Sequence, residues 1–99
     1  MLKKKFNWEE NLDKFDYEQL DQIKKGLDEK VNVWMFARLE YDANQMMVLR
    51  MGLKEGVDVS IFADPKISWQ KMWRIFYNLK LSHDIYMNKN GGMSKKLKR

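Results

Sequence analysis

A period of 26 residues constrains this chain more than any other feature. Set beneath one another without gaps, the segments beginning at Phe15, Tyr41 and Ile67 agree column by column. The second column reads Asp16, Asp42, Ser68, and apolar columns follow: Leu20, Met46, Met72; Ile23, Leu49, Ile75; Leu27, Leu53, Leu79. Later come Val31, Val57, His83; Asn32, Asp58, Asp84; and Val33, Val59, Ile85, then Met35, Ile61, Met87 with the pairs Phe36–Phe62 and Ala37–Ala63. Self-similarity at such a period means an array of small supersecondary units, none of which can bury its apolar face alone.

Each column has a physical reading. Asp16, Asp42 and Ser68 suit an N-cap, where a side-chain oxygen accepts from the free N–H groups of a helix start. The Phe, Tyr or Ile just before each cap stands where a hydrophobic staple would be. Apolar columns at steps of three and four make one stripe on a helix of about three turns. Gly26 and Gly52 fall inside that helix, where glycine costs about 1 kcal/mol against alanine, so their recurrence predicts close packing; Asn78 takes the place in the third copy. Gly56, with Lys30 and Ser82 in its column, marks the helix end, and Asn32, Asp58 and Asp84 then cap a second, shorter helix such as residues 58–63. Asp64, Pro65 and Lys66 break the chain before the third long helix.

The expected fold is therefore all-α: a short α-solenoid of three long-helix/short-helix repeats (15–40, 41–66 and 67–89) behind a capping segment at 1–14. Asn7 and Glu10 have the spacing of a capping box for a short helix there. Residues 90–99, with Gly91-Gly92 and then Ser94-Lys95-Lys96-Leu97-Lys98-Arg99, read as a flexible basic tail.

The stretch from Gly52-Leu53 through Gly56, Asp58-Val59-Ser60, Ala63 and Pro65, with Gln45-Met46 before it and Lys71-Met72 after, resembles an uncharacterised helical repeat of Firmicutes and their mobile elements. The middle copy matches well, the first moderately and the third weakly beyond Leu79. That repeat carries no assigned activity. The resemblance implies a bacterial or phage origin, and small proteins of such elements include inhibitors of host defence, anti-CRISPR proteins among them.

The inventory for catalysis is thin. There is no cysteine, which removes disulfides, thiolate metal sites and cysteine nucleophiles. His83 is the only histidine, and its column predicts a partly buried residue at a helix end rather than a ligand or base. Asp58 and Asp64 are explained as a cap and a turn residue, and no glycine-rich phosphate loop precedes a helical pattern. The chain reads as a non-enzymatic protein without cofactor or metal. With no apolar run behind Lys3-Lys4-Lys5 and none of transmembrane length, a cytoplasmic location without a membrane is expected.

In a repeat protein the shared columns carry the fold, so function belongs to the variable ones. Residues 15–40 sum to −2 and 41–66 to −1, whereas 67–99 sum to +7, so the net +5 gathers at the C-terminal end. One helix face changes from Tyr17, Asp21, Lys24, Lys25 to Ala43, Met47, Arg50, Met51 and then to Trp69, Trp73, Phe76, Tyr77. On a terminal repeat an aromatic face is either covered by the 85–87 region and the N-terminal segment or open to a partner. The expected site is Trp69, Trp73 and Tyr77 ringed by Lys66, Lys71, Arg74 and Lys80, offered to a protein with an acidic surface. The alternative is nucleic acid held by the basic end and by Lys95, Lys96, Lys98 and Arg99, with aromatics stacking on bases; the acidic body (Asp16, Glu18, Asp21, Asp28, Glu29) opposes it. A monomer or weak homodimer is expected.

Overall fold

The computed structural model of the chain describes residues 6–90, with side chains as far as Ile85, and every regular element among them is helical. Three α-helices, α1 (Tyr17–Asp28), α2 (Ala43–Glu55) and α3 (Trp69–Asn90), are preceded by a 3-10 segment at Trp8–Lys14. Further 3-10 turns at Val33–Met35 and Val59–Ile61 separate them. The helix α2 packs against α1 on one side and α3 on the other.

The first two copies are built on the same plan. Asp16 and Asp42 cap α1 and α2, accepting from the backbone N–H of Gln19 at 2.8 Å and of Gln45 at 2.7 Å. Both glutamines reach back to the cap's own N–H at 2.8 Å, completing a capping box. Their amide groups do a second thing: Gln19 Nε2 donates to the carbonyl of Tyr41 at 2.7 Å, and Gln45 Nε2 to that of Ile67 at 2.8 Å. Each box thus ties its helix start to the first residue of the next copy.

The helices end on left-handed residues, Lys30 at φ 61° and Gly56 at φ 81°. That reversal lets the N–H of Val31 and Val57 return to the carbonyls of Gly26 and Gly52 at 3.1 and 3.0 Å, as in a Schellman motif. Asn32 and Asp58 then cap the 3-10 turns through the N–H of Trp34 and Ser60. These turns are a single helical turn, shorter than the second helix the sequence suggests. Their role is to fold the chain back onto its own long helix: a Cβ on Gly26 would lie 2.7 Å from the Phe36 ring and 2.8 Å from Val33. One on Gly52 would lie 2.6 Å from Val59. The recurrent glycines are thus dimples for the repeat's own returning segment, and Phe36 and Phe62 are fully enclosed beside them.

The third copy departs from this plan. Ser68 caps α3, accepting from the Lys71 N–H at 3.2 Å, but the helix then runs on through Ser82, His83 and Asp84 with no second helix. Four of the columns that make the return have changed. Asn78 takes the place of the glycine, Ser82 replaces the residue of positive φ, and Asn88 and Lys89 stand where Phe36–Ala37 and Phe62–Ala63 supply the apolar cargo. With nothing to bury and nowhere to bury it, continued helix is the better state. Asp84 accordingly caps nothing; its carboxylate takes Lys80 Nζ at 2.8 Å one turn away. His83 is half exposed in the body of α3, not partly buried at a helix end.

At the other end, Asn7 caps the Trp8–Lys14 segment through the Glu9 N–H rather than through a box with Glu10. Trp8 is buried edge-on to Trp34 with ring centroids 6.2 Å apart, and Phe6 meets Phe15 at 6.3 Å. The core runs from these aromatics through Ile23, Phe36, Met46, Leu49 and Phe62 to Met72 and Phe76.

Candidate functional site

The seams between helices decide which side chains are free. Arg50 of α2 reaches α1, where Nε donates to Gln22 Oε1 at 2.9 Å and Nη1 to the Glu29 carboxylate at 2.9 Å. Lys54 adds a longer contact to Glu29 at 3.7 Å. The Arg50 hydrogen bond holds the Glu29 carboxyl below its usual 4.5, with the nearby positive charges of Arg50 and Lys54 adding to it against a smaller cost of desolvation. One period on, Lys80 of α3 reaches Glu55 of α2 at 3.6 Å, repeating the Lys54–Glu29 contact.

This register places the residues of the expected aromatic site. Arg50 faces the preceding helix, and Phe76, in the same column of α3, is buried, so this part of the aromatic face belongs to the α2–α3 packing. Phe76 is buried in the core and Trp69 is partly buried against it. Trp73 tilts on Phe76 with centroids 5.4 Å apart and keeps 38% of its surface in solvent; Tyr77 keeps 55%. The face is split: half of it is seam and half is open edge.

The expected ring of cations is split as well. Lys66, Lys71 and Arg74 are exposed, and among the described residues none of the three has an ion-pair partner. The Lys66 backbone N–H is held by Asp64 at 2.9 Å, which fixes the turn and leaves the ammonium free. Lys80 does not belong with them. Its ammonium is shared between Asp84 and Glu55, and the Asp84 hydrogen bond raises it above 10.5 while lowering Asp84 below 3.8. It is a tie between α2 and α3, already neutralised. Lys95, Lys96, Lys98 and Arg99 lie outside the described residues.

Two members of the open surface were not expected. Leu81, 47% exposed, and Ile85, 58% exposed, continue the row Trp69–Trp73–Tyr77 at intervals of four along α3. The signal was in the sequence as an i, i+4 row, but it is visible as surface only once the third copy is known to stay helical. The open side of α3 thus carries Trp73, Tyr77, Leu81 and Ile85 beside Arg74 and Lys71, with its one described acid, Asp84, paired to Lys80.

Elsewhere there is little for chemistry to use. A cleft of about 260 Å³ near the N-terminal segment is lined by Phe6, Asn32, Trp34, Met35, Ala37 and Arg38, and Arg38 is paired with Glu40. Among the described residues no three His, Asp or Glu side chains gather as metal ligands, and no helix is long and apolar enough to cross a membrane. No protein-family model, curated protein or solved structure matches this chain.

Proposed function

We propose that the chain is a non-enzymatic protein-binding module, a short stack of 26-residue helical repeats that takes an acidic partner on the open side of its last helix. The observation that carries this reading is that half-exposed Trp73 and Tyr77 share one element with Lys71 and Arg74, which have no ion-pair partner among the described residues. Aromatic and arginine side chains give most of the binding energy at protein interfaces, and a rim of one charge selects the partner and speeds encounter. Three features support a stack: the equivalent glutamine bonds to Tyr41 and Ile67, the equivalent lysine contacts to Glu29 and Glu55, and the packing of α2 between α1 and α3. The resemblance of the repeat to those of bacterial mobile elements suggests a host-defence protein as the target.

Capture from bacterial lysate, with nuclease present, tests the reading. Trp73→Ala removes a side chain that is more than a third exposed, so it should cost about 1–2 kcal/mol of stability and leave the helical circular dichroism in place. The expected result is a nuclease-resistant protein band, weakened about tenfold or more by Trp73→Ala. Capture that disappears on nuclease treatment would replace the protein partner with nucleic acid. A Trp73→Ala chain that no longer folds would make Trp73 a core residue and remove it from the site.

A further inference from the structure

Resting on that protein-binding reading, we propose that the open side of α3 docks an acidic amphipathic helix of another protein, seated where the long helix of a fourth repeat would lie. The fold displays this docking geometry twice. In the first seam α1 receives α2 with Gln19, Gln22 and Glu29, which bind the Tyr41 carbonyl, Arg50 and, in the case of Glu29, both Arg50 and Lys54. In the second seam α2 receives α3 with Gln45, Val48 and Glu55 in the same columns. Gln45 binds the Ile67 carbonyl and Glu55 binds Lys80. Val48 is fully buried where Gln22 stood, and the incoming residue of that column has changed from Arg50 to Phe76 in step. The column pair that is polar in the first seam, Gln22 with Arg50, is thus apolar and buried on both helices in the second: the two columns change together.

Those receiving columns continue in α3 as Lys71, Arg74 and Leu81, all exposed. Relative to the first seam the charge is inverted, with a guanidinium where an amide or valine was and leucine where glutamate was. A helix seated one repeat further on matches this surface with a carboxylate in the column of Arg50 and Phe76, opposite Arg74. Four residues later, in the column of Lys54 and Lys80, it needs an apolar side chain opposite Leu81. Tyr77 and Ile85 border the same ground and widen the apolar contact. A second copy of this chain is the wrong occupant. Its α1 would bring Lys24 against Arg74 and Asp28 against Leu81, a like-charge contact and a carboxylate desolvated on leucine.

The test uses the full chain and two helix-stapled peptides of residues 43–56. One keeps Arg50 and Lys54, and the other carries Arg50→Glu and Lys54→Leu. The substituted peptide should bind more tightly by about tenfold or more, and Arg74→Glu in the protein should reverse the preference with unchanged circular dichroism. Equal binding of the two peptides, binding of neither, or indifference to Arg74→Glu would overturn the inference. So would Arg74-dependent binding to phosphatidylglycerol vesicles in place of the peptide, which would make the basic edge a lipid contact. Repeating the lysate capture with Arg74→Glu separates the two readings. Loss with Trp73→Ala but not with Arg74→Glu keeps the protein-binding function and removes the docked helix, and loss with neither removes both.

Discussion

Arg50 is the one charged side chain that the fold buries among the described residues, at 9% exposure, and its company explains how that is possible. Two bonds of 2.9 Å to Glu29 and one to Gln22 replace the water it gives up. An arginine so enclosed is costly to orphan, because removing its partner leaves a desolvated cation. Since the Arg50 hydrogen bond depresses the Glu29 carboxyl, the unfolded chain binds this proton more readily than the folded one, and stability rises with pH across that interval. The contribution is complete above 4.5 and is lost as the pH falls through the lower folded value. Glu29→Gln should lower the urea midpoint at neutral pH and flatten the acid limb below 4.5, so the two curves converge; parallel curves would show that Glu29 does not carry the effect. The caps were legible in the sequence, because Asp16 and Asp42 act within three residues of themselves. The reach of Arg50 to residues 21 and 28 positions away was not. Its column reads Lys24, Arg50, Phe76, exposed in the first copy and buried in the other two, so period alone could not say that a charge would be enclosed.

At the scale of the element, the question is why two copies turn back and one does not. The return of the chain after α1 and α2 rests on a glycine that admits its own returning segment, a residue of positive φ, and a phenylalanine to bury. Alanine favours a helix interior by about 1 kcal/mol over glycine, so a propensity argument predicts that Gly52→Ala stabilises α2. The Cβ position 2.6 Å from Val59 and 3.2 Å from Val57 predicts the opposite: overpacking costs about 1–3 kcal/mol and exceeds the gain. The expected outcome is a lower unfolding midpoint for Gly52→Ala and faster amide exchange at Phe62, whose N–H is held by the Val59 carbonyl. The comparison is Asn78→Ala in the equivalent column of α3, which is exposed and has no returning segment, and which should raise stability by a few tenths of a kcal/mol. If both substitutions stabilise, the dimple is not what holds the turn. The helix starts and the long-helix stripe were readable from spacing. The continuation of α3 was present only as a coincidence of four changed columns, and a cap-like Asp84 pointed the other way. Its carboxylate had a nearer use in Lys80.

For the whole molecule, the proposed stack predicts modularity, each copy contributing a body and half of a junction. A chain with residues 41–66 duplicated in tandem makes that a measurement. The new junction would place a second Arg50 and a second Lys54 over Glu55, which stands in the column of Glu29 and is otherwise used only by Lys80 at 3.6 Å. The second Tyr41 carbonyl would meet Gln45 as the first meets Gln19. Of the three receiving columns only Val48, in place of Gln22, differs from the first seam, so one hydrogen bond of Arg50 is forgone, at about 1 kcal/mol. The longer chain should unfold in one transition, at a higher urea midpoint and with a larger m-value, because the added copy brings a complete interface and more surface to expose. Glu55→Ala should then cost more in the duplicated chain than in the natural one, where its partner is a half-exposed lysine already shared with Asp84. Two separate transitions, or a duplicated copy that adds no helical signal, would mean that the native junctions depend on the ends of the chain rather than on the columns between copies.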